Sequence, residues 1–400
     1  MPQCESRSLF ADRFADPTAR DNKEDKPRKK WFKAMVGKKA DLGDRQEVDD
    51  SWLRAGGFHM LHARLISRLM VNMSGGVMEN AGLLLDRHGI PYIPGSAVKG
   101  CARRMALQAL HHWVKSPGQH RDGEDPGTPC CEGFRSPAEM LATIAAVFGW
   151  AGQDWEQGSD FVWACGTDEN GWASLSDARD LLSERISWLL GGAPPARRMS
   201  GFSGSVAFLA ARPNKDPGLE IEVLTPHHGD YYCGKNPNAV ATDTENPLPV
   251  FFPAVKSQNE EDYFTFPLLP LRGSDARIIG IAQRWLASGL SIFGLGAKTN
   301  AGYGVFEILP ESAIKEAKAA AQITASDFAS EVIFKSRVLD LLERPQAYQN
   351  LIQEVELLKK TENADWLAKL RERLASPSGK DARKRLKDKE WFPKEWLPTT

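Results

Sequence analysis

Gly294-Leu295-Gly296-Ala297-Lys298-Thr299-Asn300-Ala301-Gly302-Tyr303-Gly304 joins a helix-like segment to a strand-like one. Glycine lets the backbone take left-handed angles and approach a neighbour or a ligand closely. The lysine among the glycines supplies a mobile point charge suited to phosphate. A loop whose amides turn inward makes a nest for anions. On this reading Gly294, Gly296, Lys298, Thr299 and Gly302 are candidate anion contacts. The plainer alternative is a tight turn.

Before the loop, Ile279, Ala282, Gln283 and Leu286 repeat at helical spacing, so 276–289 reads as a helix capped by Ser274 or Asp275. After it, Tyr303–Leu309 reads as a strand. Working toward the N-terminus, strands are expected at Tyr263–Leu269, Leu219–Leu224 and Gly201–Ala211, with an apolar stretch at Leu248–Val255 after a polar, proline-rich excursion from Thr225 to Pro247. A helix over Ala97–Trp113 places Ala97, Cys101, Met105 and Ala109 on one face, with Ser96 where an N-cap belongs. A first strand lies within Phe58–Val71. Without its insertions the order is strand, helix, strand, strand, helix, strand. That is an α+β, ferredoxin-like (RRM-like) arrangement with large insertions.

The chain has 400 residues, enough to bury a sizeable core. We expect a basic arm at 1–50, the main domain at 51–310 with insertions at 114–200 and 219–255, a helical appendage at 311–375 and a basic tail at 376–400. Leu351, Val355 and Leu358 form one stripe of the appendage, and Trp366, Leu370 and Leu374 another. Lys and Arg number 51 against 52 Asp and Glu, which excludes a uniformly basic nucleic-acid binder but not a local basic surface. One basic run spans Lys23–Lys39, and Trp31 and Phe32 inside it would suit exposed bases. The plainer reading of such runs is a solvated tail. No apolar run approaches the roughly 20 residues that cross a bilayer. The start lacks a signal-peptide layout, and six cysteines form no disulfide framework, so a cytoplasmic protein without membrane contact is expected.

Two elements carry a family resemblance. Ile93-Pro94-Gly95-Ser96-Ala97-Val98-Lys99-Gly100, behind a glycine-rich loop, pairs with the Gly294–Gly304 loop and its strand. Together they resemble the RAMP superfamily of CRISPR-associated proteins, ferredoxin-like subunits that hold guide RNA. Glu222-Val223-Leu224-Thr225-Pro226-His227-His228-Gly229-Asp230-Tyr231-Tyr232 and then Asn246-Pro247-Leu248-Pro249-Val250 narrow the likeness to the sixth-subunit family of the type III-B Cmr module. The resemblance covers roughly residues 55–310. It implies a non-catalytic subunit near the 3′ end of a CRISPR guide RNA that also touches target RNA and stacks on other RAMP subunits.

The residues suggest how RNA would be gripped. Ser96 opens a helix whose free amides and dipole favour phosphate, and Lys99 reaches the same anion. Arg103 and Arg104 on that helix, and Arg64 and Arg68 on the first strand, are further cations. Tyr231 and Tyr232 offer stacking surfaces, or pack under their own loop.

Two other chemistries deserve weighing. His111, His112, His120, Cys130 and Cys131 cluster in sequence, as do His227, His228 and Cys233, yet neither group has zinc-site spacing. No cofactor is therefore expected. An endoribonuclease would draw on Glu79, Asp86 or His62. A protein-interaction scaffold would use the glycine loop only as a turn.

Overall fold

The computed structural model describes residues 4, 6–12, 25–40, 53, 56–71, 83–116, 131, 133–189, 200–225, 228, 231, 234, 240–241, 249–260, 262–271 and 276–314, and toward the C-terminus 338–339, 342, 351–352, 354–356, 364–376, 379–389 and 391–397. It separates into two compact units, Met1–Leu309 and Pro310–Thr400.

The first unit is built on one antiparallel sheet. Its strands are β1 (His59–Leu65), β4 (Val206–Phe208), β5 (Arg212–Pro213), β8 (Phe264–Pro270) and β9 (Phe306–Leu309). They run in the order β4-β8-β1-β9, and β5 also pairs with β8. The central strand β8 is buried over Phe264–Leu268, as expected of a strand covered on both faces. Phe306 of β9 meets Phe264 and Phe266 of β8 edge-on, with ring centroids 5.8 and 5.5 Å away, a favoured aromatic geometry. Two helices, α3 (Gly95–Lys115) and α7 (Ala276–Ile292), pack against each other. Gly289 makes their close crossing possible, since a Cβ there would lie 3.0 Å from the Cys101 carbonyl oxygen. Phe148 stacks between Phe208 and Trp285 and joins sheet to helices.

Between α3 and β4 the chain inserts a helical group: α4 (Pro137–Phe148), β2 (Trp150–Ala151), α5 (Asp160–Cys165), α6 (Glu169–Leu189) and β3 (Gly201–Phe202), with β2 and β3 paired. Ser136 and Ser159 cap α4 and α5 by accepting from Glu139 and Val162 amides. The expected strand over 201–211 is broken into β3 and β4, and β5 begins just past it. Gly204, at φ 95°, turns the chain where an added Cβ would sit 2.5 Å from the Val147 carbonyl oxygen.

The segment between β5 and β8 makes its own two-stranded ribbon, β6 (Leu219–Leu224) with β7 (Val250–Val255). It is joined to the chain just after β1 by reciprocal backbone bonds between Leu69 and Val255, 3.0 and 2.9 Å long.

The N-terminal segment differs from a solvated arm. Its helices α1 (Arg7–Asp12) and α2 (Asp25–Val36) carry Phe10, Trp31, Phe32 and Met35 into the core. Trp31, Phe32 and Met35 lie at helical spacing and turn α2 onto the β6–β7 ribbon. Both aromatics are therefore core residues and not surfaces for bases. Arg7, 3% exposed, pairs with Asp216 at 3.0 Å and donates to the carbonyls of Lys38 and Gly89.

The second unit has a separate core. Val338, Leu342, Leu351 and Val355 join Leu370 and Leu374 from α8 (Ala364–Ala375) and Ala382 and Leu386 from α9 (Lys380–Leu386). Phe392 and Trp396 are buried in the same cluster, so residues 376–400 contribute to a packed unit where a tail was expected.

Candidate nucleic-acid interface

The glycine loop is shaped first by its own neighbours. Leu295 and Gly304 close it with a 2.8 Å backbone bond. The Gly304 amide donates to the Arg68 carbonyl and the Ala297 amide to the Met70 carbonyl, at 2.6 and 2.8 Å. The loop is thus stapled to the chain just after β1. No side chain fits at two of its glycines: a Cβ would fall 1.9 Å from the Leu295 carbonyl oxygen at Gly304 and 2.2 Å from that of Met70 at Gly296. Cys101 lies against the Gly294 carbonyl with its sulfur 3.7 Å away, so the loop begins beside the second turn of α3. The two glycine-bearing motifs of the sequence are therefore neighbours.

Several loop amides are already engaged. Those of Ala301, Gly302 and Tyr303 donate to Lys298 and Thr299 carbonyls within the loop. Gly302 therefore lends a left-handed φ of 84° and no anion contact through its amide. Among the described residues, no backbone bond takes the amides of Lys298, Thr299 or Asn300. These open the 3₁₀ turn Thr299–Ala301 at the loop tip. Lys298 itself has φ 58° and ψ 28° and is the single non-glycine residue with positive φ among the described residues. Its ammonium lies 4.9 Å from the centre of the Phe252 ring, a cation–π contact.

The start of α3 differs from the capping expectation. Pro94, at φ −66° and ψ 147°, is the N-cap, and no side chain caps the helix. Gly95 is the first helical residue, and only glycine fits there because the Phe208 carbonyl oxygen occupies the place of a Cβ, 2.2 Å away. Ser96 sits one position into the helix and is exposed. Lys99, half-buried one turn on, has its pKa lowered by desolvation and then by the positive charge of Arg103.

The arginines sort differently from the sequence reading. Arg64 lies directly opposite Glu307 across the β1–β9 pairing and donates to it through Nε at 3.0 Å. Arg68 is held by Glu220 and by Glu222, the latter at 2.9 Å. Arg103 bridges Asp160 and Asp154. Each of these three thus has a carboxylate partner, with which a phosphate would compete. Arg104 is exposed and stacks over Phe293, the residue before the loop, 4.6 Å from the ring centre.

Beside the loop opens a cleft of about 320 Å³ lined by Ile66, Ser67, Arg68, Glu220, Ser257, Ala301, Gly302 and Tyr303. The Tyr303 hydroxyl donates to Glu222 at 2.6 Å. Burial, reinforced by Glu222, pushes its pKa up to about 12. Sequence reading missed this set. The signal was present in Leu219-Glu220-Ile221-Glu222, whose period-2 alternation puts both carboxylates on one face of a strand.

Other candidates fall elsewhere. Tyr231 is exposed, whereas Tyr232 and Glu79 lie outside the described residues. His62 is buried, with Nδ1 3.2 Å from the Thr265 hydroxyl and its ring edge-on to Tyr263. Asp86 accepts from the His88 and Ile90 amides and pairs with Arg212 at 2.9 Å, as a turn-forming carboxylate does. His111 stacks on Trp163, and His120, Cys130, His227 and Cys233 lie outside the described residues. Among the described residues, no three metal-ligating side chains gather. No helix among them is long and apolar enough to cross a membrane.

A family model described as the RAMP superfamily matches residues 48–307. The chain belongs to the RAMP superfamily. The CRISPR system Cmr subunit Cmr6 of Pyrococcus furiosus is 26% identical to it over 250 residues, 60% of this chain and 64% of that protein. The RAMP chain thus spans a little under two thirds of the length of this curated relative. The crystal structure of Pyrococcus furiosus Cmr6 is similar at 20% identity and a TM-score of 0.30, covering 63% of this chain and 98% of that one. A chain of a type III-B Cmr-beta complex bound to cognate target RNA is similar at 16% identity and a TM-score of 0.36, covering 72% and 76%. Helices α1 and α2 precede the RAMP match, and the C-terminal unit follows it.

Proposed function

We propose that this RAMP protein is a Cmr6-like, non-catalytic RNA-binding subunit of a type III-B CRISPR effector complex. It holds the guide RNA towards its 3′ end, contacts target RNA and stacks on backbone subunits. The relationship to Cmr6 over 250 residues supports the assignment to that complex. The sheet order β9-β1-β8-β4, with α3 and α7 as its crossover helices, supports a ferredoxin-like reading of the RAMP domain.

Lys298 carries the RNA-holding part. A lysine in the left-handed region costs about 1–2 kcal/mol that glycine would not. The surrounding loop is otherwise rich in glycine, and strain kept at one residue is a mark of function. At that position the ammonium and the amides of Lys298, Thr299 and Asn300 share one loop tip. A phosphate set there meets both charge and backbone donors. Lys99 and Arg104, on the adjoining helix, extend the surface.

Sequencing the RNA that co-purifies with the tagged protein from its native host tests the assignment. Short RNAs carrying CRISPR spacers and a common repeat-derived 5′ handle are the expected result. Unbiased cellular RNA, or none, would refute complex membership. Cleavage of labelled guide or target by the purified chain would replace the non-catalytic role with the endoribonuclease one.

A further inference from the structure

The basic run near the C-terminus has a definite geometry. In α9, Ala382 and Leu386 are buried in the core of the second unit. Lys380, Lys384 and Lys387 follow at i, i+4 and i+7, and all three are exposed. At about 100° per residue they form a stripe on the side of the helix opposite that buried pair. Arg385 and Lys389 flank it, also exposed. Residues 380–389 hold six basic and two acidic side chains. Among the described residues, none of the three stripe lysines is engaged by a carboxylate.

The same run is fixed in place from below. The Lys394 ammonium donates to the carbonyls of Lys387 and Lys389, the latter at 3.0 Å. Arg371 reaches from α8 to the Glu395 carbonyl at 2.9 Å. Phe392 meets Trp391 and Trp396 edge-on. The stripe is therefore presented by a packed scaffold, at little entropic cost on binding.

What would bind there follows from what the surface lacks. No large hydrophobic residue is exposed among the described residues of this unit. A membrane-surface helix needs an apolar face to insert, and a stable protein interface needs an apolar centre. A purely cationic, unpaired stripe matches a polyanion with regularly spaced charge.

We propose that the Lys380–Lys384–Lys387 face of the C-terminal unit binds the phosphate backbone of single-stranded RNA. It is a second contact, outside the RAMP domain and without sequence preference. The choice of RNA over other polyanions rests on the function proposed above. The phosphate-binding face itself does not.

The test uses the full chain and a labelled, mixed-sequence single-stranded RNA, with DNA of the same sequence and phosphatidylserine vesicles as separate probes. Lys380→Gln/Lys384→Gln/Lys387→Gln removes three exposed charges and leaves polar side chains one atom shorter. Loss of three phosphate contacts lowers the slope of log K against log salt by about 2. It also weakens binding more than tenfold at 50 mM salt, with unchanged thermal unfolding. Lys298→Ala measured in parallel separates the two surfaces. A drop in the triple variant alone upholds this face while the loop-tip reading fails. Equal slopes for the triple variant and wild type overturn the proposal, whatever Lys298→Ala does. So would vesicle binding that the triple variant loses, or DNA held tenfold more tightly than RNA.

Discussion

Lys298 separates backbone strain from charge in a way that two substitutions read directly. Lys298→Ala keeps a Cβ in the left-handed region at φ 58° and loses the ammonium. Lys298→Gly loses the ammonium and relieves the strain. That relief is about 1–2 kcal/mol, and the added freedom of the unfolded chain returns about 0.4–1 kcal/mol of it. The glycine variant should therefore be more stable than the alanine variant by about 1 kcal/mol. Both lose the contact over Phe252, about 0.5–1 kcal/mol at such a site, so that term cancels between them. For a unit of this size 1 kcal/mol moves the unfolding temperature by about 2 °C, so urea titration followed by tryptophan fluorescence is the better assay. RNA affinity should fall equally in both variants, with the salt slope lower by about 0.7, the contribution of one phosphate. An alanine variant as stable as the glycine one would refute the strain. A glycine variant that binds RNA like wild type would refute the contact.

Gly304→Ala should unfold the loop or the whole RAMP unit, because its Cβ would meet the Leu295 carbonyl oxygen at 1.9 Å with φ at 70°; circular dichroism of the purified variant checks this, and a native-like melt would refute it. Arg103→Ala should leave RNA affinity within about twofold and cost less than about 1 kcal/mol, since its partners are Asp154 and Asp160 at a partly exposed site. Tyr303→Phe removes the 2.6 Å bond to Glu222, costing about 1–2 kcal/mol at neutral pH. The tyrosine pKa is raised in the folded state, so this stability is present below about pH 10 and is lost as pH rises through about 12. Wild type and variant should therefore converge in stability over that window, and a constant gap would show that the hydroxyl contributes otherwise.

The secondary structure was legible where burial was periodic or continuous. β6 occupies Leu219–Leu224 as expected, and β8 and α7 shifted by only a few residues at their ends. Ser96 was misplaced because capping grammar looks for a polar side chain, whereas here close contact with Phe208 requires glycine at the helix start. The carboxylate partners of the arginines were hidden for a different reason. Arg64 and Glu307 are 243 positions apart and become neighbours only through the β1–β9 register. Charge in the sequence says where a cation is, and tertiary pairing says whether it is free. Trp31 and Phe32 were hidden inside a lysine run, although Trp31, Phe32 and Met35 already had the spacing of an amphipathic helix.

The placement of β1 at the centre of the sheet bears on how the protein is made. Its partner strand β8 begins roughly 200 residues downstream, and its other partner β9 follows later still, so at ribosomal rates β1 waits on the order of 10–40 s for either edge to be covered. Through that interval Leu65 and Leu69, both buried in the finished unit, are on an emerging chain that has no sheet to join. Unpaired strand edges of this kind invite intermolecular pairing. Slowing translation before residue 264 should therefore lower soluble yield, and holdase chaperones that bind apolar strands should restore it.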